Sequence, residues 1–348
     1  MFNKEIRVLI ADDSGVMQLL IKSILKADNE IKVVATAYNG KEAYEKTLEQ
    51  KPDVVLMDIL MPDYDGIYGV KRIMEEQPTP IVVLSAIGHQ NIGPIVSALN
   101  HGAFDYLNKP EGNTTLLRRI DNDIIKKVRH AAQADINRLR LIPTEANHLF
   151  HTFTKQIDYD IVVIGASTGG PTALEKVLSK FPKNMPVPVV IAQHMPANFV
   201  ESFSNRLDQI VTQHVMLAQP GTRIERGKVY LAPGDKNIIL RKNRVSKEIV
   251  VDQSDKIFKE YNNPSINSLM QSIADIYGER SIGVILTGMG SDGAKGMKSI
   301  EAKGGFTVAQ DDSSSVVFGM PKEAISIGSV KRIVKIDEMG EFLVSCLS

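Results

Sequence analysis

One cysteine, Cys346, is all the thiol that the 348-residue chain carries. That excludes an intrachain disulfide framework and any zinc site built on cysteines, and it fits a reducing cytosol. Net charge is lacking as well: 41 Lys+Arg stand against 41 Asp+Glu. A nucleic-acid binder relying on bulk charge is therefore not expected, and no helix-turn-helix signal offers another route to DNA. No apolar run approaches the ~20 residues needed to cross a bilayer. Residues 1–7 mix both charges and lack the apolar core of a signal peptide. There is no internal repeat, low-complexity tract or heptad array. The expectation is a cytoplasmic protein without membrane insertion. Its length suffices for about two domains, each with its own core.

What the chain does contain is a recurrence of short apolar runs with helical stretches between them. In the first half these runs are residues 7–11, 31–35, 54–57, 81–84 and 104–107. Strand-length runs alternating with helical periodicity, such as Val16, Leu19, Leu20 and Ile24, imply βαβ units and a parallel sheet. Residues 116–141 read as a highly charged last helix running into a linker, ended by Pro143. Its basic residues read first as a solvated face and second as a docking surface. A second α/β set follows, with strands at 160–164, 187–192, 228–232, 282–287 and 306–309. Residues 238–240 and 249–251 flank a polar turn and read as a hairpin.

Carboxylates mark the strand ends of the first half. Asp12 and Asp13 follow the first strand and Asp58 ends the third. With strand order 2-1-3-4-5 these two strands are neighbours at the switch point, where ligands bind in open α/β sheets. Each aspartate alone reads equally as a helix N-cap. Together they form a crowd of like charges that needs a cation, and all-oxygen ligation suits Mg²⁺. Asp58 would then accept a phosphoryl group. Lys109 would pair with a phosphate oxygen, and Ser85, ending the fourth strand, would offer it a hydroxyl.

The second half carries Gly165-Ala166-Ser167-Thr168-Gly169-Gly170-Pro171 after a strand and before a helix. Glycines allow the sharp turn that exposes a nucleophilic serine, and a helix N-terminus favours a developing oxyanion. A phosphate-binding loop uses the same geometry, and this motif alone does not separate the two. His194 follows the strand at 187–192 and Asp292 the strand at 282–287, at the same sheet edge. Ser167 as nucleophile, His194 as base and Asp292 as orienting carboxylate form a hydrolytic triad. Its order differs from the Ser–Asp–His of α/β-hydrolases. One rival stands: Gly288-x-Gly290-x-x-Gly293 is a literal dinucleotide fingerprint, with Asp311 and Asp312 near the ribose-binding spacing. That rival is an NAD-dependent oxidoreductase. Too little chain follows the fingerprint for a complete dinucleotide fold, and the Ser167 loop is left unexplained.

Two resemblances sharpen these readings. Asp58-Ile59-Leu60-Met61-Pro62-Asp63-Tyr64-Asp65-Gly66 with Asn108-Lys109-Pro110 resembles response-regulator receiver domains, over residues 5–123. The resemblance implies a flavodoxin-like fold phosphorylated on Asp58. Asp13 and Asp58 would bind Mg²⁺ directly, Asp12 through water and Leu60 by its carbonyl, with Tyr106 at the aromatic switch position. The Ser167 loop, Gln193-His194-Met195-Pro196, Leu286-Thr287-Gly288-Met289-Gly290-Ser291-Asp292-Gly293-Ala294 and Val316-Val317-Phe318-Gly319-Met320-Pro321 resemble the catalytic domain of chemotaxis protein-glutamate methylesterases. This second resemblance implies a doubly wound α/β domain over residues 157–348 with a small antiparallel hairpin, reached through a helical or irregular linker at 124–156. It implies the triad Ser167, His194 and Asp292, an oxyanion held at Met289 and Thr168, and no cofactor for the ester chemistry. It also implies methyl-accepting chemoreceptors as substrate, their glutamate methyl esters and certain glutamines being hydrolysed, and a chemotaxis histidine kinase as phosphodonor.

Overall fold

A computed structural model of the chain describes residues 5–85, 93–109, 114–136, 151, 153, 157–234, 236–254 and 264–348. The chain divides into two compact units, Met1–Ile142 and Pro143–Ser348. The first alternates strand and helix in the order β1 (Ile6–Ala11), α1 (Gly15–Leu25), β2 (Ile31–Ala37), α2 (Gly40–Gln50), β3 (Val54–Asp58), α3 (Gly66–Glu76), β4 (Ile81–Ser85), α4 (Gly93–Asn100), β5 (Asp105–Asn108) and α5 (Thr114–Ala131). All pairings are parallel, in the order β2-β1-β3-β4-β5. Every residue of β3 is buried, as expected for a central strand covered on both faces. Helix starts are capped by side chains. Ser14, Asn39 and Asp65 accept the N–H groups of Met17, Glu42 and Tyr68, satisfying donors that a helix leaves open at its first turn.

The helical readings hold, and the structure adds which faces are inward. Val16 and Leu19 are 78% and 69% exposed; the inward face of α1 is Gln18, Ile21, Ile24 and Leu25. Gln18 is polar but buried because its amide donates to the carbonyls of Asp12 and Ala37, at 2.7 and 3.0 Å. The charged last helix ends at Ala131, with a turn after it, and most of the expected linker lies outside the described residues. Its Arg129 stays partly exposed but is paired. It forks onto Asp28 at 2.6 and 2.8 Å and reaches Glu30 at 2.6 Å, tying the helix to the turn after α1. Hydrogen bonding to Arg129 holds the Asp28 carboxyl below its ordinary value.

The second unit runs β6 (Ile161–Ala166), α6 (Gly170–Leu178), β7 (Val189–Gln193), α7 (Ala197–Ile210), β8 (His214–Leu217), β9 (Lys228–Leu231), β10 (Asn237–Lys242), β11 (Ile249–Ser254), α8 (Ile266–Tyr277), β12 (Ser281–Ile285), α9 (Ala294–Ala302), β13 (Phe306–Gln310), α10 (Met320–Ser326), β14 (Arg332–Val334) and α11 (Ile336–Cys346). Seven strands form a parallel sheet in the order β14-β13-β12-β6-β7-β9-β8. The expected hairpin is β10-β11, antiparallel. Helix α8 lies in the core with Ile238, Leu240 and Val251 of that hairpin. This helix is apolar on more than one side because sheet and hairpin both cover it. The strand order reverses between β6 and β12, so residues just after β6, β7 and β12 share one crevice.

Candidate active sites

At the carboxyl end of the first sheet, β1 delivers Asp12 and Asp13 and β3 delivers Asp58. One carboxylate oxygen from each lies within 4.8 Å of the others. Asp12 and Asp58 are buried and Asp13 is exposed. Lys109, following β5, places its ammonium 2.6 Å from Asp12 Oδ2 and 2.8 Å from Asp58 Oδ2. Burial raises the Asp58 pKa, and the Lys109 ammonium only partly offsets this, with the Asp12 charge adding to the rise. Burial works against the Lys109 ammonium too, but its two carboxylate partners outweigh that and raise its pKa. Among the described residues the Lys109 ammonium contacts two of these three acidic groups, Asp12 and Asp58. Tyr106 is buried, its phenol pushed well up by burial and the Asp105 charge, with the Lys127 ammonium 5.5 Å from the ring centroid. Leu60 follows Asp58 with its side chain 63% exposed, and its N–H donates to Asp58 Oδ1 at 3.4 Å. Ser85 ends β4 in register with Asn108 of β5; its side chain lies outside what is described.

The second sheet brings Ser167, His194 and Asp292 together. Ser167 Oγ is 3.2 Å from His194 Nδ1, and His194 Nε2 is 2.8 Å from Asp292 Oδ2. A carboxylate only accepts, so Nε2 carries the ring proton and Nδ1 presents its lone pair to the serine. In the familiar serine-protease triad the two ring nitrogens have the opposite partners; here the ring is turned over. Asp292 is buried but well supplied with donors. Its Oδ1 accepts from the N–H groups of Asn267 and Gly293, each at 2.9 Å, and its Oδ2 from Ile266 N–H at 2.9 Å. Ile266 and Asn267 open α8, so the carboxylate answers N–H groups that the helix itself cannot bond. The helix start and the triad position each other.

Several residues around this triad were not foreseen as functional. Asn267 accepts through Oδ1 from Gly293 and Gly296 at 3.0 and 2.8 Å, fixing the turn that carries Asp292. Thr287 is a clasp. Its Oγ1 is 3.0 Å from the Thr168 carbonyl and accepts from Val317 N–H at 2.9 Å, while its own carbonyl accepts Ser167 N–H at 3.0 Å. Gln193 ends β7 opposite Ala166 of β6 and donates from Nε2 to the carbonyls of Ser167 and His194, at 2.9 and 3.0 Å. The available sequence signal was that Gln193 and Thr287 stand inside the quoted motifs, beside residues already singled out.

The CheB methylesterase family matches residues 162–343, and the response regulator receiver domain matches residues 8–121. A protein-glutamate methylesterase/protein-glutamine glutaminase of Thermotoga maritima is 38% identical over 348 residues, covering 99% of each chain. The chain belongs to the CheB methylesterase family. A relative of the same description from Archaeoglobus fulgidus is 38% identical over 346 residues, covering 98% of each chain. The crystal structure of the Thermotoga maritima CheB methylesterase catalytic domain matches with TM-score 0.52 and 36% identity, covering 54% of this chain and 98% of that one.

Membership of the CheB methylesterase family removes the oxidoreductase alternative, and the loop shows why its fingerprint misleads. Asp292, inside the fingerprint, is spoken for by His194 and α8. The space that Gly288 leaves is filled by protein, since a Cβ there would stand 2.7 Å from Ser167 Cβ and 2.5 Å from Met320 Sδ. Its glycine thus serves close packing against the Ser167 loop rather than approach to a pyrophosphate. Asp311 accepts from the hydroxyls of Ser313 and Ser314 in its own turn. Among the described residues no helix is long and apolar enough to cross a membrane.

Proposed function

We propose that this chain hydrolyses γ-glutamyl methyl esters of chemoreceptors to glutamate and methanol, deamidates receptor glutamines at the same site, and is switched on by phosphorylation of Asp58. The observation that carries the ester chemistry is the chain of contacts Ser167 Oγ to His194 Nδ1 to Asp292. Ser167 Oγ attacks the γ-carbonyl carbon and gives its proton to His194 Nδ1. The tetrahedral intermediate collapses to an acyl-serine, and methanol leaves with that proton. Water then attacks the acyl carbon, again passing a proton to Nδ1, and glutamate leaves as Ser167 is restored. With glutamine the first leaving group is ammonia. Asp292 holds the imidazole in the Nε2–H form and balances its charge when protonated. The backbone N–H groups of Thr168 and Met289 are assigned to the oxyanion. Incubation with methylated receptor membranes should release methanol, and with glutamine-bearing receptor should release ammonia. Release of neither from active, folded protein would refute the assignment.

The receiver is assigned Mg²⁺, held by Asp13, Asp58 and the Leu60 carbonyl, with Asp12 assisting through water. Three clustered carboxylates, with the Lys109 ammonium on only two of them among the described residues, fit a divalent cation, and the exposed Asp13 suits a metal that retains water. When bound, Mg²⁺ supplies positive charge beside the phosphoryl oxygens. Asp58 provides the accepting oxygen, Lys109 an ammonium, and Ser85 and Tyr106 the groups that register the new phosphate. A chemotaxis histidine kinase is the proposed phosphodonor. Asp58 and Ser167 belong to different units, so phosphorylation is proposed to act through domain arrangement.

Mg²⁺ should raise the melting temperature of the wild type. At a concentration one hundred times Kd the gain is about 2.7 kcal/mol. The raised Asp58 pKa sets the pH dependence. Its folded value lies above the unfolded one, so its favourable contribution is complete below the ordinary carboxylate value and is lost as pH rises through the raised one. The metal-free cluster is therefore least comfortable at neutral pH. The Mg²⁺ gain should be largest there and shrink as pH falls and Asp58 is protonated. A gain independent of pH, or one retained in Asp58→Ala with Asp13→Ala, would remove these residues from the metal site.

A further inference from the structure

The triad reading leaves Gln193 unexplained. It is 2% exposed at the end of β7. Its Nε2 group spends both hydrogens on main-chain carbonyls, of Ser167 at 2.9 Å and His194 at 3.0 Å. Its Oε1 is buried without a hydrogen-bond partner among the described residues. An unpaired buried carbonyl is costly, and a leucine or methionine would fill the same space without it. The chain also leaves room for this oxygen: a Cβ on Gly170 would stand 2.0 Å from Gln193 Oε1. The donors must therefore be what the residue is for.

In a trans peptide unit the C=O and N–H point in opposite directions. The Ser167 carbonyl is held from one side by Gln193 Nε2 and by Gly170 N–H, at 2.9 and 2.7 Å. The N–H of the same unit, which belongs to Thr168, is thereby turned the other way, away from Gln193. The unit that carries the Met289 N–H is held in the same manner. Its carbonyl, from Gly288, accepts from Gly319 and Met320 at 3.1 and 2.9 Å. Both units are clamped at the carbonyl, and Gln193 is the side chain among these clamps.

We propose that Gln193 is a positioning residue for the oxyanion site: by gripping the Ser167 carbonyl it aims the Thr168 N–H at the tetrahedral oxygen, while its bond to the His194 carbonyl keeps base and nucleophile in register. This rests on the serine-hydrolase reading given under Proposed function. Gln193 itself touches no reacting atom. Its effect falls on the transition state, so it should alter kcat and leave KM nearly untouched.

The test uses the full-length chain, p-nitrophenyl acetate as a small ester, and propylboronic acid as a probe. The boronic acid bonds to Ser167 Oγ, whose proton passes to His194, and gives a tetrahedral anion in the oxyanion site. Gln193→Met keeps length and loses both donors. It should lower kcat by about 10- to 100-fold, leave KM within about twofold, and weaken propylboronic acid in proportion to kcat. Gly170→Ala should imitate it by displacing Oε1, yet should add little to Gln193→Ala, where that oxygen is gone. The proposal is overturned if folded Gln193→Met keeps kcat within about threefold of wild type or loses kcat with boronate affinity unchanged. It is equally overturned if Gly170→Ala is fully active, or if its loss multiplies with that of Gln193→Ala. A Cβ on Gly170 would also stand 3.0 Å from Ala166 Cβ, so should Gln193→Met fail to fold, the cycle of Gly170→Ala with Gln193→Ala decides. Neither readout involves a receptor. Failure of methanol release would overturn the substrate assignment without touching this one.

Discussion

Ser167→Ala should lower methanol release from methylated receptor by at least about four orders of magnitude and leave the melting temperature unchanged. The size follows from mechanism: without Oγ no acyl-enzyme forms, and only oxyanion and binding contributions remain. The melting temperature should hold because the Ser167 side chain is neither a cap nor a core group. Its Oγ contacts His194 at 3.2 Å, while its N–H and carbonyl, which knit the loop to Thr287, Gly170 and Gln193, survive the substitution. A folded Ser167→Ala protein with near-normal methanol release would remove the nucleophile from the account.

Asp292→Ala should behave differently, losing both activity and stability. Activity should fall by about 10⁴-fold, as when the orienting carboxylate of a triad is removed. Stability should fall because Asp292 carries structure as well as chemistry. Ile266 and Asn267 N–H lose their acceptor at the buried start of α8, while Gly293 N–H retains Asn267 Oδ1. Two orphaned buried donors at about 1–3 kcal/mol each lower the melting temperature of a unit this size by roughly 4–24 °C. Adding His194→Ala to Asp292→Ala should cost little further activity, since the two act as one. An unchanged melting temperature would contradict the shared role with α8. A multiplicative loss with His194→Ala would contradict the triad.

The sequence disclosed those parts of the molecule that rest on periodicity and on strand ends. Continuous apolar runs such as 54–57 and 161–164 can only be buried central strands, and the residues that follow them must line the switch points. That is why Asp12, Asp58, Ser167, His194 and Asp292 were legible. Strands β8 and β14 were not foreseen because short edge strands carry little pattern: β14 has three residues, two of them exposed. The facing of α1 was not legible because Val16 and Leu19 are apolar and exposed while Gln18 is polar and buried, an inversion that depends on the carbonyls of Asp12, in the loop before the helix, and Ala37, at the end of β2. The same applies to Gln193, Asn267 and Thr287. A buried amide or hydroxyl earns its place from loops that meet only in three dimensions, and no spacing rule encodes that. Nor does sequence reveal which imidazole nitrogen faces the serine.

The central claim is a phosphate switch governing an ester hydrolase on one chain. Its most direct measurement is methanol release from methylated chemoreceptor membranes by the full-length protein, with and without a small phosphodonor and Mg²⁺. The account predicts a clear rise in rate with the donor, absent in Asp58→Asn and absent when Mg²⁺ is chelated. A rate that ignores the donor in the wild type, or a rise that persists in Asp58→Asn, would contradict it.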